Sequence, residues 1–173
     1  MKTPTIFISY NPNSDFEQTL AVRLHTTGAV NGFRMFLPDR YNSETVIDNE
    51  TKNRISQSDW LIVFSTEELS EIVKQEIQYA AQNFKDKSKI IVIYNFEKGK
   101  NLRGDLTEQF TEIYFNPEDD FDKIISEKIF SKFHIEERNK NEKEIKEVKQ
   151  QRNALLALLG IGVGLLLLGG TSE

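Results

Sequence analysis

Two short stretches of the chain are almost continuously apolar, and they constrain the fold more than any other feature. Residues 60–65 read WLIVFS and residues 89–94 read KIIVIY, both rich in β-branched and aromatic side chains. Strands of this kind are buried on both faces, which is typical of the centre of a parallel sheet. Three further short runs, at residues 5–10, 33–37 and 112–115, predict the remaining strands.

Helical patterns separate these runs. In the first pattern, which Ser14 or Asp15 is placed to cap, apolar residues recur at helical spacing at Phe16, Leu20, Ala21 and Leu24. Residues 46–58 predict a weaker helix with a polar face, and residues 121–133 predict a last amphipathic helix. Alternation of strand and helix up to about residue 134 predicts an open α/β sheet with right-handed crossovers.

The helical segment after the third predicted strand carries a carboxylate on its apolar side. In LSEIVKQEIQYA, residues 69–80, Glu76 shares a face with Leu69, Ile72, Val73, Ile77 and Ala80. Open α/β sheets bind ligands outside the carboxyl ends of their strands, so a carboxylate in the second turn of this helix is a candidate to face that crevice. In the alternative interpretation, the side chain reaches the rim of the core and extends into water.

The composition argues against several classes of function. With 22 basic and 27 acidic residues the net charge is −5, and no basic block is interleaved with aromatic residues, so we expect no binding to nucleic acid. His25 and His134 are far apart and there is no cysteine, so no metal site is expected. The absence of cysteine is compatible with a reducing cytoplasm. Ser9 and Ser65 lack the sequence context of a catalytic nucleophile.

The last part of the chain changes character twice. Residues 135–153 alternate acidic and basic side chains, which predicts a solvated linker helix. Residues 154–170, ALLALLGIGVGLLLLGG, carry no charge. Seventeen residues at about 1.5 Å each cover about 25 Å of the roughly 30 Å hydrocarbon core, which predicts a short transmembrane helix. The alternative is a tail packed inside a soluble oligomer.

Basic residues precede the tail, at Lys143, Lys146, Lys149 and Arg152, and this bias favours a membrane protein with its globular part in the cytoplasm. Gly160 and Gly164 would let neighbouring tail helices approach closely, which favours a homo-oligomer. The predicted organisation is therefore a domain at residues 1–134, a charged helix at 135–153 and a membrane or oligomerisation segment at 154–170.

Several short elements, in order, resemble the Toll/interleukin-1 receptor (TIR) domain family. They are a first strand ending in ISY, a helix that begins after an Asp, Gly-Phe leading the second strand, a Ser before WLIVFS, and SEIVKQE at residues 70–76. The last is similar to the family pattern Ser-x-Trp-Val-x-x-Glu, with Ile72 where Trp or Cys is common. The resemblance covers about residues 4–133 and implies a flavodoxin-like, five-stranded parallel sheet. The loop LPDRYNSETVID lacks the Pro-Gly often seen in animal members, which favours a bacterial type.

The resemblance also implies an activity, cleavage of NAD+ at the bond between nicotinamide and ribose. Glu76 matches the family's catalytic glutamate, and an anion beside the sugar would stabilise the oxocarbenium-like ribose that forms as nicotinamide leaves. No metal or cofactor is implied, because NAD+ is the substrate. By the same matching, the residues around the nucleotide would be Tyr10, Asn11, Asp39, Arg40 and Ser65. Alternatively, Tyr10 only ends a strand, Asp39 and Arg40 form an exposed turn pair, and Asn11 is an ordinary loop residue.

These observations lead to a principal hypothesis and two alternatives. The principal one is a membrane-tethered bacterial TIR-domain NAD+ glycohydrolase, activated by self-assembly. It would act in antiphage defence, either by depleting NAD+ or by making a cyclic or other ADP-ribose signal. The first alternative is a non-catalytic scaffold that recruits other TIR domains. The second is a related enzyme of similar topology that acts on a free nucleoside and leaves NAD+ intact.

Overall fold

A computed structural model describes residues 3–38, 45–99, 109–116 and 121–168 of the chain. Two of the predicted site residues, Asp39 and Arg40, lie outside the described residues. The chain divides between Phe130 and Ser131 into two compact units.

The first unit contains a five-stranded, all-parallel sheet. Its strands are β1 (Thr5–Ser9), β2 (Arg34–Phe36), β3 (Trp60–Ser65), β4 (Ile90–Asn95) and β5 (Thr111–Phe115). They are arranged in the order β2-β1-β3-β4-β5. The predicted α/β fold with a parallel sheet is confirmed, and the order is the one found in flavodoxin-like proteins. β3 and β4 are buried along their whole length, as their apolar sequences predicted.

Helices connect the strands. They are α1 (Asp15–Val30), α2 (Asn49–Ser56) and α3 (Glu71–Asn83), and a 3₁₀ turn at Lys87–Lys89 precedes β4. Ser14, not Asp15, caps α1, because its hydroxyl accepts a hydrogen bond from the Glu17 amide at 3.1 Å. The predicted helix at 46–58 is shorter, because Asp48 ends the preceding loop and caps α2 through the Thr51 amide at 2.6 Å.

The helical region after β5 is less regular than predicted. It begins with α4 (Phe121–Ile124), continues as a π-helical segment at Ile125–Phe130, and passes into α5 (Ser131–Leu168). Phe121, Ile129, Phe130 and Phe133 of the predicted apolar stripe are buried. The sequence therefore identified the buried side of this region without showing its change of helical period.

One face of the sheet packs against α2 and α3. The apolar stripe predicted for α3 is buried there, together with alternate residues of the central strands, including Phe7, Leu61, Val63 and Val92. Because side chains alternate along a strand, Ser9 and Ser65 lie on this same face at the carboxyl ends of β1 and β3. The stripe and the two strand ends therefore share one side of the sheet.

The buried face of helix α1 differs from the prediction at its first residue. Phe16 is 40% exposed, whereas Glu17 is 1% exposed. The buried stripe starts one residue later than expected and consists of Glu17, Leu20, Ala21, Leu24 and Gly28. The spacing from Glu17 to Leu20, Ala21 and Leu24 is that of one helix face, so the buried glutamate belongs to the stripe and the phenylalanine does not.

The second unit consists of α5. The predicted charged linker and most of the predicted hydrophobic segment lie in this one helix, while Gly169 and Gly170 fall outside the described residues. Ile145 and Val148, in the charged part, are exposed. In the described ranges, which reach Leu168, no helix combines the length and the apolar character required to cross a membrane.

Candidate functional site

Glu76 is fully buried. Its relative exposure is 0%, and its Oε2 atom accepts a hydrogen bond from Ser9 Oγ at 2.5 Å. The interpretation in which this side chain extends into water is therefore wrong. A helix residue and the last residue of a central strand, 67 positions apart, are joined inside the protein at the carboxyl edge of the sheet.

The register of the sheet explains which other polar groups accompany this pair. Ser9 is aligned with Val63, and Ser65 lies two residues further along β3 on the same face. Ser65 is itself aligned with Tyr94 of β4, and both are 0% exposed. Burial raises the pKa of Tyr94, helped by Glu112, so this phenol is neutral near pH 7. Ser9, Ser65, Tyr94 and Glu76 form what we call the edge cluster.

A second buried carboxylate, Glu17, holds two loops together. Its Oε2 accepts a hydrogen bond from the Asn11 amide at 2.8 Å. Its Oε1 accepts from the Thr66 amide at 2.8 Å, the Thr66 hydroxyl at 2.9 Å and the Glu67 amide at 3.2 Å. Burial raises the pKa of Glu17, and the hydrogen bonds from Asn11, Thr66 and Glu67 lower it in part. This carboxylate joins the loop after β1 to the loop after β3.

Further contacts extend the connection between the loops. The Asn11 side chain donates to the Glu68 carbonyl at 2.9 Å and accepts from the Asn13 amide at 3.0 Å. The hydroxyl of Ser14 and the ammonium of Lys98 both lower the pKa of Glu67. Because Lys98 follows β4, the loops after three adjacent strands are linked at the carboxyl edge of the sheet.

Gln75, the neighbour of Glu76, binds the backbone that leads into α2. Its Oε1 accepts from the Ile47 amide at 3.1 Å, and its Nε2 donates to the Thr45 carbonyl at 2.7 Å. Arg54 of α2 donates to the Leu37 carbonyl at 2.8 Å. The chain is therefore fixed to α2 and α3 on both sides of residues 39–44.

The structure places the predicted site residues as follows. Ser65 and Glu76 lie on one face at the carboxyl edge, and Tyr10 is buried directly after Ser9. Asn11 is in the loop that Glu17 holds, and its amide group is already bonded within the protein. Tyr10 and Asn11 follow β1, Ser65 ends β3, and Glu76 lies in α3.

Sequence reasoning missed the roles of Ser9 and Glu17. In the sequence, Ser9 stands out only as part of the ISY strand end and as a serine without the context of a nucleophile, although it lies two residues after Phe7 on the strand face that meets α3. Glu17 carried the same signal as Glu76, since it is a carboxylate at helical spacing with apolar residues. Assigning Phe16 to the stripe concealed that signal.

The surroundings of Glu76 determine how its carboxylate can interact with a ligand. In the part of the chain that the structure describes, no group of three or more His, Cys, Asp or Glu side chains is placed to hold a metal ion. Glu76 is surrounded on its helix by the buried Ile72, Val73 and Ile77. A carboxylate in such apolar surroundings interacts with a nearby positive charge more strongly than one in water does. The edge cluster therefore favours a reaction in which positive charge develops on the substrate.

Comparison with protein-family models gives no match, and comparison with curated proteins gives none either. Among solved structures, the chain is similar to the CMP N-glycosidase BcmB of Clostridium botulinum, with 16% sequence identity and a TM-score of 0.46. The similarity covers 69% of this chain and 97% of that chain.

Proposed function

We propose that this protein is a TIR-type NAD+ glycohydrolase in which Glu76 is the catalytic residue. The observation that carries the proposal is the buried Glu76 carboxylate, held by Ser9 at the carboxyl edge of a flavodoxin-like sheet. Ligands of open α/β sheets bind at this edge. The sequence resemblance, from the ISY strand end to SEIVKQE, supports NAD+ as the substrate.

The proposed reaction breaks the bond between ribose C1′ and the nicotinamide nitrogen. The bonding electron pair leaves with nicotinamide, which becomes neutral, and positive charge develops on the ribose. The Glu76 carboxylate stabilises this oxocarbenium-like centre. Water then attacks C1′ and loses a proton, which gives ADP-ribose. Attack by a nitrogen of the substrate's own adenine gives a cyclic product at the same centre.

Full burial of Glu76 bears on how the enzyme is activated. A ribose contacts a side chain of 0% exposure only after neighbouring groups move. Such a movement has to be stabilised by something that favours the open state over the closed one. Self-assembly supplies this when a neighbouring copy packs against the open state. Burial of the carboxylate therefore supports an assembly-dependent enzyme that is inactive as a dispersed monomer.

The substrate contacts belong to the same proposal. Tyr10 and Ser65 border Ser9 and Glu76 at the strand ends, and Asn11 shapes the adjoining loop. Asp39 and Arg40 are proposed for the nucleotide from the sequence resemblance. Membrane tethering through residues 154–170, a cytoplasmic location and a role in antiphage defence also rest on the sequence.

The test is product analysis by mass spectrometry after incubation of NAD+ with the full chain in liposomes at high density. We expect the wild type to release nicotinamide and Glu76→Gln to lose at least about 100-fold in rate. Glu71→Gln is the matched control, since Glu71 lies on the same helix but is exposed and paired with Lys74. An active Glu76→Gln protein would refute the assignment.

A scaffold remains the second candidate, because a buried Glu76 bonded to Ser9 is also what a purely structural polar pair looks like. The two functions differ in what Glu76→Gln does to the cellular effect of the protein, which a scaffold keeps and an enzyme loses. A scaffold keeps its partners and shows no nicotinamide release with either protein. Free nucleosides in the same assay distinguish the nucleoside-processing enzyme, which would consume them and leave NAD+ intact.

A further inference from the structure

We propose that Ser9 is a positioning residue for Glu76, which it holds in the orientation and ionisation state that NAD+ cleavage requires. This inference rests on the proposed function and extends it to a residue that does not need to touch substrate. Its basis is the 2.5 Å hydrogen bond from Ser9 Oγ to Glu76 Oε2 between two side chains that are both 0% exposed.

Both partners of this bond belong to elements that are paired or packed in the core. Ser9 ends β1, which is paired with β2 on one side and with β3 on the other. Glu76 lies in the middle of α3, whose neighbouring residues Ile72, Val73 and Ile77 are buried in the core. A hydroxyl fixed on a paired strand can therefore hold a flexible glutamate in a single orientation. Productive placement of a catalytic group requires a tolerance of about 0.5 Å.

The bond also acts on ionisation. The Ser9 hydroxyl donates a hydrogen bond to the carboxylate, and a hydrogen bond to the charged form of an acid favours that form. The effect is stronger inside a protein than in water, because the surroundings screen charge less. The proposed mechanism needs an anionic Glu76, so Ser9 would extend the activity to lower pH than a buried glutamate would otherwise allow.

Among the described residues, the strands that pack against α3 bring no charged side chain to Glu76. β1 and β3 carry no charged side chain, and Tyr94 of β4 is neutral because burial raises its pKa. Among exposed pairs, Glu50 bonds Arg54 on α2 at 3.0 Å, and Glu71 bonds Lys74 on α3 at 2.5 Å. Further titratable groups on or next to α2 and α3 are Asp48, Lys52, Asp59, Glu68, Tyr79 and Lys85.

The experiment compares Ser9→Ala, Ser9→Thr and Thr5→Val in the full chain. Thr5 is the matched control, since it is buried on the same face of β1 at the opposite end of the strand. For Ser9→Ala we expect a fall in kcat of about 10- to 100-fold with little change in KM. The acidic limb of its pH–rate profile should move to higher pH. Ser9→Thr, which keeps the hydroxyl, should retain the wild-type profile, and so should Thr5→Val.

A second readout does not depend on catalysis. In protein labelled with ¹³C at the glutamate side-chain carboxyl carbon, the Glu76 signal, assigned by its loss in Glu76→Gln, is titrated in wild type and Ser9→Ala. We expect a higher titration midpoint in the variant. An unchanged midpoint in folded Ser9→Ala, or a lower kcat without a shifted pH profile, would overturn the inference. If the wild type fails to cleave NAD+, the proposed function falls, and the titration still decides whether Ser9 controls Glu76.

Discussion

Two buried glutamates lie at the same edge of the sheet and differ in what surrounds them. Three backbone amides and one hydroxyl donate to Glu17, so its hydrogen-bonding capacity is used within the protein. Glu76 receives its bond from a side chain, Ser9, in mainly apolar surroundings. The first arrangement is suited to fixing backbone, and for the second we propose that the carboxylate acts on a ligand.

Replacing Glu17 with Gln should lower the free energy of unfolding by about 1–3 kcal/mol at neutral pH. A glutamine has a single acceptor oxygen, and its NH2 group would face amides that are themselves donors, so buried donors would lose their partners. Chemical denaturation monitored by circular dichroism measures this difference. Unchanged stability would show that the two loops do not depend on this carboxylate.

The same variant should reveal a pH dependence. The folded-state pKa of Glu17 is raised above the ordinary 4.5, so protonation of this group stabilises the fold. That contribution is complete below the unfolded value and is lost as the pH rises through the folded pKa. Wild type should therefore gain stability relative to Glu17→Gln when the pH is lowered from 7 toward 4.5.

Asp86→Asn is the control, because the stability contributed by Asp86 should depend on pH in the opposite direction. Hydrogen bonds from Ser88 lower the pKa of Asp86 below its ordinary 3.8, so its contribution is present above that value and is lost on acidification. Relative to this variant, wild type should lose stability as the pH falls toward 3. For each variant, the difference in free energy of unfolding from wild type is measured by denaturation at several pH values. If this difference changed with pH in the same direction for Glu17→Gln and Asp86→Asn, the raised pKa of Glu17 would be contradicted.

At the scale of elements, the close packing of α1 on β2 depends on one glycine. A Cβ atom at Gly28 would lie 2.6 Å from Sδ and 2.9 Å from Cγ of Met35. With the Met35 side chain in this position, only a residue without a side chain lets the helix approach the strand this closely. The Met35 side chain therefore occupies the space that a methyl group at position 28 would need.

Gly28→Ala should lower the free energy of unfolding by about 1 kcal/mol, because the clash with Met35 outweighs the gain in helix propensity. A double-mutant cycle with Met35→Ala measures the coupling. Once Met35 is shortened, the added methyl group has room, so the alanine at 28 should become neutral or stabilising. Additive effects of the two substitutions would show that the contact does not limit packing.

The strands and helices could be predicted where buried residues form a continuous apolar run or recur at helical spacing. Continuous apolar runs gave β3 and β4, and helical spacing gave the buried face of α3 with Glu76 on it. The same method puts Phe16 instead of Glu17 on the buried face of α1, because an aromatic side chain is more often buried than a charged one. The partner of Glu76 was out of reach, because a hydrogen bond between residues 67 apart depends on register and crossing geometry.

At the scale of the whole molecule, the chain joins an α/β unit to a long helix whose last part is apolar in sequence. If self-assembly activates the enzyme, confinement should replace high bulk concentration, because it raises the effective concentration of neighbouring copies. We therefore expect specific NAD+ cleavage to depend on the density of the protein on a surface.

This expectation can be tested at constant bulk concentration by varying the ratio of lipid to full-length protein in liposomes. Nicotinamide release per molecule should rise by about 100-fold or more from sparse to dense vesicles. Glu76→Gln at the same densities controls for release that does not come from the site. A rate per molecule that is independent of density would contradict activation by assembly.

The carboxylate of Glu17 has a consequence for how the molecule opens. Asn11 and Thr66 are 55 positions apart in sequence, yet their backbone amides both donate hydrogen bonds to the Glu17 carboxylate. Opening of either loop removes hydrogen-bond donors from a buried carboxyl group, which makes it favourable for the other loop to open as well. The edge of the sheet should therefore fluctuate as one cooperative unit, so that a partner that loosens one loop also loosens the other.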